Sequence, residues 1–256
     1  MNKNLDSCDC STIKKKSRML INLISGPRNV STALMYAFRQ RQDTKVIDEP
    51  FYGYYLKLTG IIHPGRKRIM QSMSTEIDEI TNKLLAEDKN GQIIFLKNMA
   101  HHHINVDEPF MHAANNVFLI RNPAELLVSF SKVIKEPTID DIGVKKSWEI
   151  YQELLIAGKQ PVVIDSGELL KNPVVMLDRL CHSIGINSDP NMQTWPAGPR
   201  EEDGIWAEYW YHNVHKSTGF IKAEPKAVEV SKALQATYEE AMIYYKELYK
   251  KSLKFK

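Results

Sequence analysis

Leu23-Ile24-Ser25-Gly26-Pro27-Arg28-Asn29-Val30-Ser31-Thr32 is the stretch on which the fold of this chain turns. The apolar run from Met19 to Ile24 reads as a buried strand, a Gly-Pro turn ends it, and two hydroxyl residues open a helical pattern. In that pattern, Ser31 to Arg41, Leu34 and Phe38 share one face at i,i+4. The first turn of a helix carries unpaired N–H groups and the positive end of the dipole, so a strand–loop–helix of this kind attracts phosphate. Arg28 adds a permanent charge whose fork geometry suits phosphate oxygens, and Ser31 and Thr32 offer hydroxyl donors. The same residues also fit an ordinary capped helix start with Arg28 facing solvent. The G-x-x-x-x-G-K-S/T spacing of NTPases occurs nowhere in the chain, which counts against ATP or GTP hydrolysis.

Working outward, short apolar runs alternate with helical patterns. Thr44 to Ile47 is a β-branched strand stopped by Asp48-Glu49-Pro50. Thr75 to Glu87 reads as a helix, Gln92 to Leu96 and Val117 to Ile120 as strands. Pro123 sits where proline is tolerated, in the first turn of a helix running towards Lys132. Asp140 to Ala157 is helical, Val162 to Ile164 a strand, and Pro173 opens a helix to Ser183. The last long helix, from about Ala227 to Lys250, carries an apolar stripe of Val230, Leu234, Tyr238, Ala241, Tyr245 and Leu248, which is a core-packing pattern. This alternation is the signature of βα units around a mainly parallel sheet, a three-layer α/β/α sandwich. We read residues 1–18 as a flexible leader and 19–256 as one domain. The segment from Ile186 to Phe220, rich in Trp, Pro, Gly and His and without periodicity, reads as a loop-like cover over a site.

Composition sets broad limits. At 256 residues, 43% hydrophobic and 25% charged, the chain has the content of one globular core. A net charge of +3 suits an anionic small ligand and is too weak to point to nucleic acid. No apolar run approaches the roughly 20 residues of a membrane span. Lys14-Lys15-Lys16 before Met19 to Ile24 superficially suggests a signal peptide, but the apolar run is too short, and a cytoplasmic protein is expected. Cys8, Cys10 and Cys181 form no disulfide framework, and Cys8-x-Cys10 lacks a second ligand pair at zinc-site spacing.

A second junction strengthens the first. Val117-Phe118-Leu119-Ile120-Arg121-Asn122-Pro123, followed by Ser129, is again strand, basic residue and helix, and a strand-end Arg with a helix-face Ser can converge on one phosphate. Gly26-Pro27-Arg28-Asn29-Val30-Ser31-Thr32 resembles the 5′-phosphosulfate loop of the P-loop sulfotransferases, usually P-K/R-S-G-T-T. Arg121-Asn122-Pro123 with Ser129 resembles that family's 3′-phosphate motif. Val163 to Pro173 is similar to its Y-E-D-L-x-x-D/N-P segment. The resemblance covers roughly Met19 to Gly185 and is closest to a bacterial-type subgroup with S-G-P-R-N-V-S-T and D-E-P motifs. Asn29 and Val30 depart from the usual Ser-Gly, and valine does not take positive φ cheaply. The resemblance implies a fold like that of the P-loop-containing nucleoside triphosphate hydrolases. It also implies a PAPS-dependent sulfotransferase (PAPS, 3′-phosphoadenosine 5′-phosphosulfate; product PAP, 3′-phosphoadenosine 5′-phosphate). Gly26 to Thr32, Arg121, Ser129 and a late basic, glycine-containing loop, Lys216-Ser217-Thr218-Gly219, would then bind the nucleotide. No metal is expected, and the partner is a small-molecule acceptor rather than nucleic acid or membrane, in a monomer or a homodimer.

Sulfuryl transfer is an in-line displacement that needs charge stabilisation on the departing phosphate and a base for the acceptor proton. Arg28 is the candidate for the first role. For the second there are two sources. Lys97-Asn98-Met99-Ala100-His101-His102-His103 lies just beyond a predicted strand, where the family often has Lys-x-His, so Lys97 with His101 or His102 is one. Glu49, at the end of another predicted strand, is the other; it also fits a backbone-capping turn before proline. Neighbouring histidines on a strand alternate faces, which disfavours reading the triplet as a metal site. Trp206, Trp210, Tyr211, His212 and His215 are candidates to stack on adenine, to shape an acceptor pocket, or simply to pack the core. Two further readings stay open: a nucleotide-dependent phosphotransferase, disfavoured by the missing Gly-Lys-Ser/Thr, and a non-catalytic nucleotide-binding protein of the same fold.

Overall fold

The computed structural model describes residues 19–87, 92–223 and 227–255. The leader and its Cys8 and Cys10 lie outside the described residues. Six strands form one all-parallel sheet: β1 Met19–Ser25, β2 Thr44–Asp48, β3 Ile93–Met99, β4 Asn115–Ile120, β5 Val162–Asp165 and β6 Ser252–Leu253, in the order β2-β3-β1-β4-β5-β6. The helices are α1 Ser31–Arg39, α2 Tyr52–Thr59, α3 Arg66–Ser72, α4 Ile77–Ala86, α5 Glu108–Ala113, α6 Pro123–Phe130, α7 Ile139–Ile142, α8 Val144–Ile156, α9 Ser166–Lys171, α10 Pro173–Ser183, α11 Ala207–Trp210 and α12 Gln235–Lys251.

Strand periodicity sorts side chains onto two faces. Ile21, Leu23, Ile93, Phe95, Val117 and Leu119 pack beneath α1 and α10, and Phe38 of α1 stacks on Phe95 at 4.1 Å. Leu20, Ile24, Ile94, Leu96, Phe118 and Ile120 pack beneath α4, α5, α6, α8 and α12. Both faces are covered, which is why these strands read as continuous apolar runs rather than alternating ones. The three layers and the parallel sheet are as expected. The second face also holds a buried polar network: Asn22 receives a hydrogen bond from Asn98 at 2.8 Å and donates to Asn116 at 3.0 Å.

Two helices differ from the sequence reading. The helix expected from Asp140 to Ala157 is broken at Gly143, whose φ of 68° closes α7 and starts α8. The final helix begins at Gln235, because Ser231 is extended and Lys232–Leu234 forms a 3-10 turn. Its stripe nevertheless faces the core as expected, with Leu234, Ala241, Tyr245 and Leu248 buried.

The order of strands fixes where a site can form. The chain leaves β1 towards β2 and β3 on one side and then crosses to β4 on the other, so adjacent β1 and β4 send their following loops in opposite directions. The crevice at the carboxyl ends of such strands is the usual ligand position in this architecture. Gly26 to Val30, Arg121, Glu49 and His101 all follow directly on those strand ends.

Candidate active site

The loop after β1 is held in an unusual conformation. Arg28 and Val30 both have positive φ, 55° and 50°, and Val30 is the N-cap of α1 without a side-chain cap. A β-branched residue here costs on the order of 1–2 kcal/mol, so Val30 adopts the turn that glycine normally provides. The surroundings over-determine it. Arg121 Nη1 donates to the Arg28 carbonyl at 2.6 Å, Asn29 Nδ2 donates to the Leu119 carbonyl, and Val30 packs against the α1 side of the core. Gly26 is needed for close approach: a Cβ there would overlap the Ile142 carbonyl oxygen.

The structure brings the two sequence motifs together. Arg28 Nε donates to Ser129 Oγ at 3.2 Å, so the loop after β1 meets the helix after β4. Arg121 stands beside them with its Nε and Nη2 on Glu125 Oε2, at 3.3 and 3.2 Å. Ser31 and Thr32 occupy the first turn of α1 as expected, Ser31 buried. Gly143 links this region to the histidine segment: a Cβ on it would lie 3.3 Å from Ala100 Cβ and 3.7 Å from both Gly26 Cα and His101 Nδ1. The reading from sequence missed this residue, whose only signal is a lone glycine inside a helical pattern.

On the other side of the loop lies a buried charge cluster. Asp48 and Lys97 are register partners on β2 and β3, on the face beneath α1. Lys97 is fully buried, with Nζ bonded to Glu49 Oε1, 3.2 Å from Asp48 Oδ1 and 2.7 Å from the Tyr211 hydroxyl. Tyr211 donates to Asp48 Oδ2 at 2.7 Å and lies 3.4 Å from Glu49 Oε1, and Trp206 Nε1 donates to Asp48 Oδ2 at 3.1 Å. Burial favours the neutral lysine, but Asp48 and Glu49 outweigh it and hold the Lys97 pKa above its ordinary value. Burial, reinforced by Asp48, raises the Glu49 pKa despite Lys97. Glu49 also has a φ of 41°, held by its N–H on the Lys97 carbonyl at 2.7 Å. Among the described residues, three of the four non-glycine residues with positive φ, Arg28, Val30 and Glu49, therefore lie at the carboxyl ends of β1 and β2, where backbone strain characteristically accumulates at a site.

The three histidines part company, but not by strand alternation: β3 ends at Met99, and Ala100–His102 forms a 3-10 turn capped by His103. His103 accepts from Asn22 Nδ2 at 3.3 Å through Nε2, and its Nδ1 faces the Met99 carbonyl at 3.1 Å, so it belongs to the core network. His102 stacks on Tyr52 at 4.8 Å and places Nδ1, which has no hydrogen-bond partner, 3.8 Å from Glu49 Oε2. His101, half-buried, lies edge-on to Tyr55 at 5.2 Å. Burial, with His63 beside it, lowers the His101 pKa to about 4, and burial with its histidine neighbours carries His102 well below its ordinary value, so both imidazoles are neutral at pH 7. Among the described residues no group of three or more His, Cys, Asp or Glu side chains is arranged to hold a metal ion.

The segment from Ile186 to Phe220 is largely irregular, as its composition suggests, and it docks rather than dangles. Trp206 and Tyr211 pack with Tyr52, Leu56 and Ile69 in a small third core. Asp203 receives the Tyr36 hydroxyl at 2.7 Å and lies 2.9 Å from His215 Nε2. Ser217 accepts from Trp195 Nε1 at 3.1 Å, and Gly219 bridges Thr194. Lys216 and Thr218 are exposed beside them. The hydrogen bonds of Ser217 to Gly219 thus tie them to Thr194 and Trp195, and none reaches Gly26 to Thr32 among the described residues. Asp48 enters the cluster although its sequence context reads equally as a turn cap. Its one signal is the Asp-Glu-Pro that closes a strand.

A family model of the sulfotransferase domain matches residues 19–252, and the chain belongs to that family. Two proteins of Arabidopsis thaliana, named branched-chain-amino-acid aminotransferase-like proteins 1 and 2, are 36% and 35% identical over 202 residues. The match takes in 78% of this chain and 36% of each relative, so the chain spans about a third of the length of the curated relatives it matches. Among solved structures, a sulfotransferase from Alicyclobacillus acidocaldarius aligns with a TM-score of 0.51 at 12% identity, over 93% of this chain and 98% of that one. The sulfotransferase domain from the curacin biosynthetic pathway aligns with a TM-score of 0.50 at 12% identity, over 89% and 98%. At that identity the two structures speak for the fold alone. No helix among the described residues is long and apolar enough to cross a membrane.

Proposed function

We propose that this chain transfers the sulfuryl group of PAPS to a hydroxyl or amine of a small-molecule acceptor. The observation that carries the reading is the contact between Arg28 Nε and Ser129 Oγ, which sets the segments resembling the 5′-loop and the 3′-motif side by side at the carboxyl end of the sheet. Gly26 to Thr32 would cradle the 5′-phosphosulfate with backbone N–H groups, and Arg121 and Ser129 would take the 3′-phosphate. Lys216 to Gly219 is retained only as a nearby segment.

In the reaction the acceptor oxygen or nitrogen forms a bond to sulfur while the bridging S–O bond to the 5′-phosphate breaks. The acceptor proton goes to a base, and PAP departs. Arg28 stabilises the charge that appears on the departing phosphate. Glu49 is the base: its raised proton affinity suits it to the task, whereas the imidazoles of His101 and His102 bind protons weakly. Lys97 and Tyr211 both address Oε1, leaving Oε2 towards His102. Neutral His101 and His102 would orient the acceptor.

Calorimetric titration with PAP, with AMP and ATP as controls, tests the reading. PAP should bind well above both controls. Equal affinity for AMP and PAP would remove the 3′-site, and absence of PAP binding to folded protein would overturn the proposal.

A further inference from the structure

The chemistry at Glu49 draws on a segment far away in sequence. Tyr211 lies 114 residues from Lys97, yet its hydroxyl takes the third position on the lysine ammonium and donates to Asp48. Trp206 donates to the same Asp48 oxygen. Glu49 is faced by Asp48 from β2, Lys97 from β3, His102 from the 3-10 turn after β3, Tyr52 from α2 and Tyr211 from the covering segment. Two carboxylates share one lysine here. Whatever neutralises Asp48 frees Lys97 to hold Glu49 ionised, and whatever leaves Asp48 bare makes Glu49 retain a proton.

We propose that Tyr211, assisted by Trp206, is a positioning residue for the base: by donating to Asp48 it keeps the Asp48 charge from being added to that of Glu49. The covering segment thereby contributes to the environment of Glu49 from its packed position. Tyr211 is buried against the cluster and acts through Asp48 and Lys97. This inference rests on the assignment of Glu49 as base.

The sign of the effect follows from the contacts. Removing the hydroxyl takes away the donor to Asp48 and leaves that charge less compensated beside Glu49, so Glu49 must bind its proton more tightly. Since a base works ionised, the acid limb of the pH–rate profile should move to higher pH in Tyr211→Phe.

The experiment is a pH profile of sulfuryl transfer for wild type, Tyr211→Phe and Trp206→Phe, on variants whose melting and PAP titration match wild type. Tyr211→Phe should lose about tenfold in kcat at pH 7 and recover it at higher pH, with KM for PAPS unchanged. Trp206→Phe should shift the limb in the same direction by less, and it carries the test if Tyr211→Phe does not fold. A uniform loss at every pH, or an unmoved acid limb, would overturn the proposal while leaving the sulfotransferase reading intact. Carbon-13 titration of the Glu49 carboxyl supplies the readout without turnover. An unchanged Glu49 midpoint in Tyr211→Phe refutes the coupling, whereas missing PAP binding in wild type refutes the function instead.

Discussion

The two halves of the crevice are built by different means. Around Gly26 to Thr32 the proposed anion site is made of backbone: a turn with positive φ, a helix N-terminus and one guanidinium, all within seven consecutive residues, with Arg121 and Ser129 added from a later strand–helix junction. Around Glu49 the site is made of side chains from β2, β3 and a segment more than 100 residues later, and its properties depend on how three charges share few hydrogen bonds. In the first half a side chain can be changed without loss of stability as long as the backbone path survives. In the second it cannot, because a buried charge left without its partner has no water to replace it.

Breaking the charge cluster should therefore have the largest effect on the molecule. Lys97→Met leaves Asp48 and Glu49 unpaired in the interior and should cost on the order of 3–5 kcal/mol at neutral pH. The loss should shrink as pH falls and the two carboxylates take up protons, which denaturant unfolding at several pH values would show. A destabilisation independent of pH would mean that packing, and not charge, sets the cost.

Next in size is Arg28→Ala on the loop side. Loss of charge stabilisation on the departing phosphate should lower kcat about 100- to 1000-fold with little change in melting. An equally large fall in stability would place Arg28 in the scaffold instead. Glu49→Gln should reduce kcat about 100-fold, and His101→Ala or His102→Ala by less. The reverse ranking, read from steady-state rates, would return the base role to the histidines.

The smallest effect sharpens the contrast. Val30→Gly removes a β-branched residue from the left-handed region, a relief of about 1–2 kcal/mol, against about 0.5–1 kcal/mol of added chain entropy. The variant should melt a few degrees higher at most, and its affinity for PAP should stay within about twofold, since the backbone path is kept. A marked loss of affinity would show that the valine side chain, and not the turn alone, holds the loop.

Much of the frame was legible before the structure. Five strands were found to within three residues of their ends, because the central strands are covered on both faces and read as apolar runs, and β2 is short and β-branched with a stop at Asp48-Glu49-Pro50. Tyr52–Thr59 and Arg66–Ser72 were not read as helices. Their sequences, with Gly53 and adjacent tyrosines, have weak intrinsic preference, and they are held by packing on Trp206, Tyr211 and Ile69. The two-residue β6 has too little sequence to carry a period. The helix expected to begin at Ala227 starts at Gln235, because an apolar position such as Val230 can face the core without being helical.

The sequence by itself determined what depends on neighbours in the chain: the parallel α/β frame, the strand–loop–helix at Gly26 to Thr32, and the family to which the chain belongs. Contacts a few residues apart leave a readable period or motif. Only the tertiary structure decided that Arg28 meets Ser129, that His103 belongs to the core while His102 turns towards Glu49, and that Tyr211 and Trp206 complete the cluster around Asp48 and Lys97. Those pairings join residues from about 50 to more than 160 positions apart, and the chain states no local preference for them. They exist because the buried charges could not be left without partners once the sheet had formed.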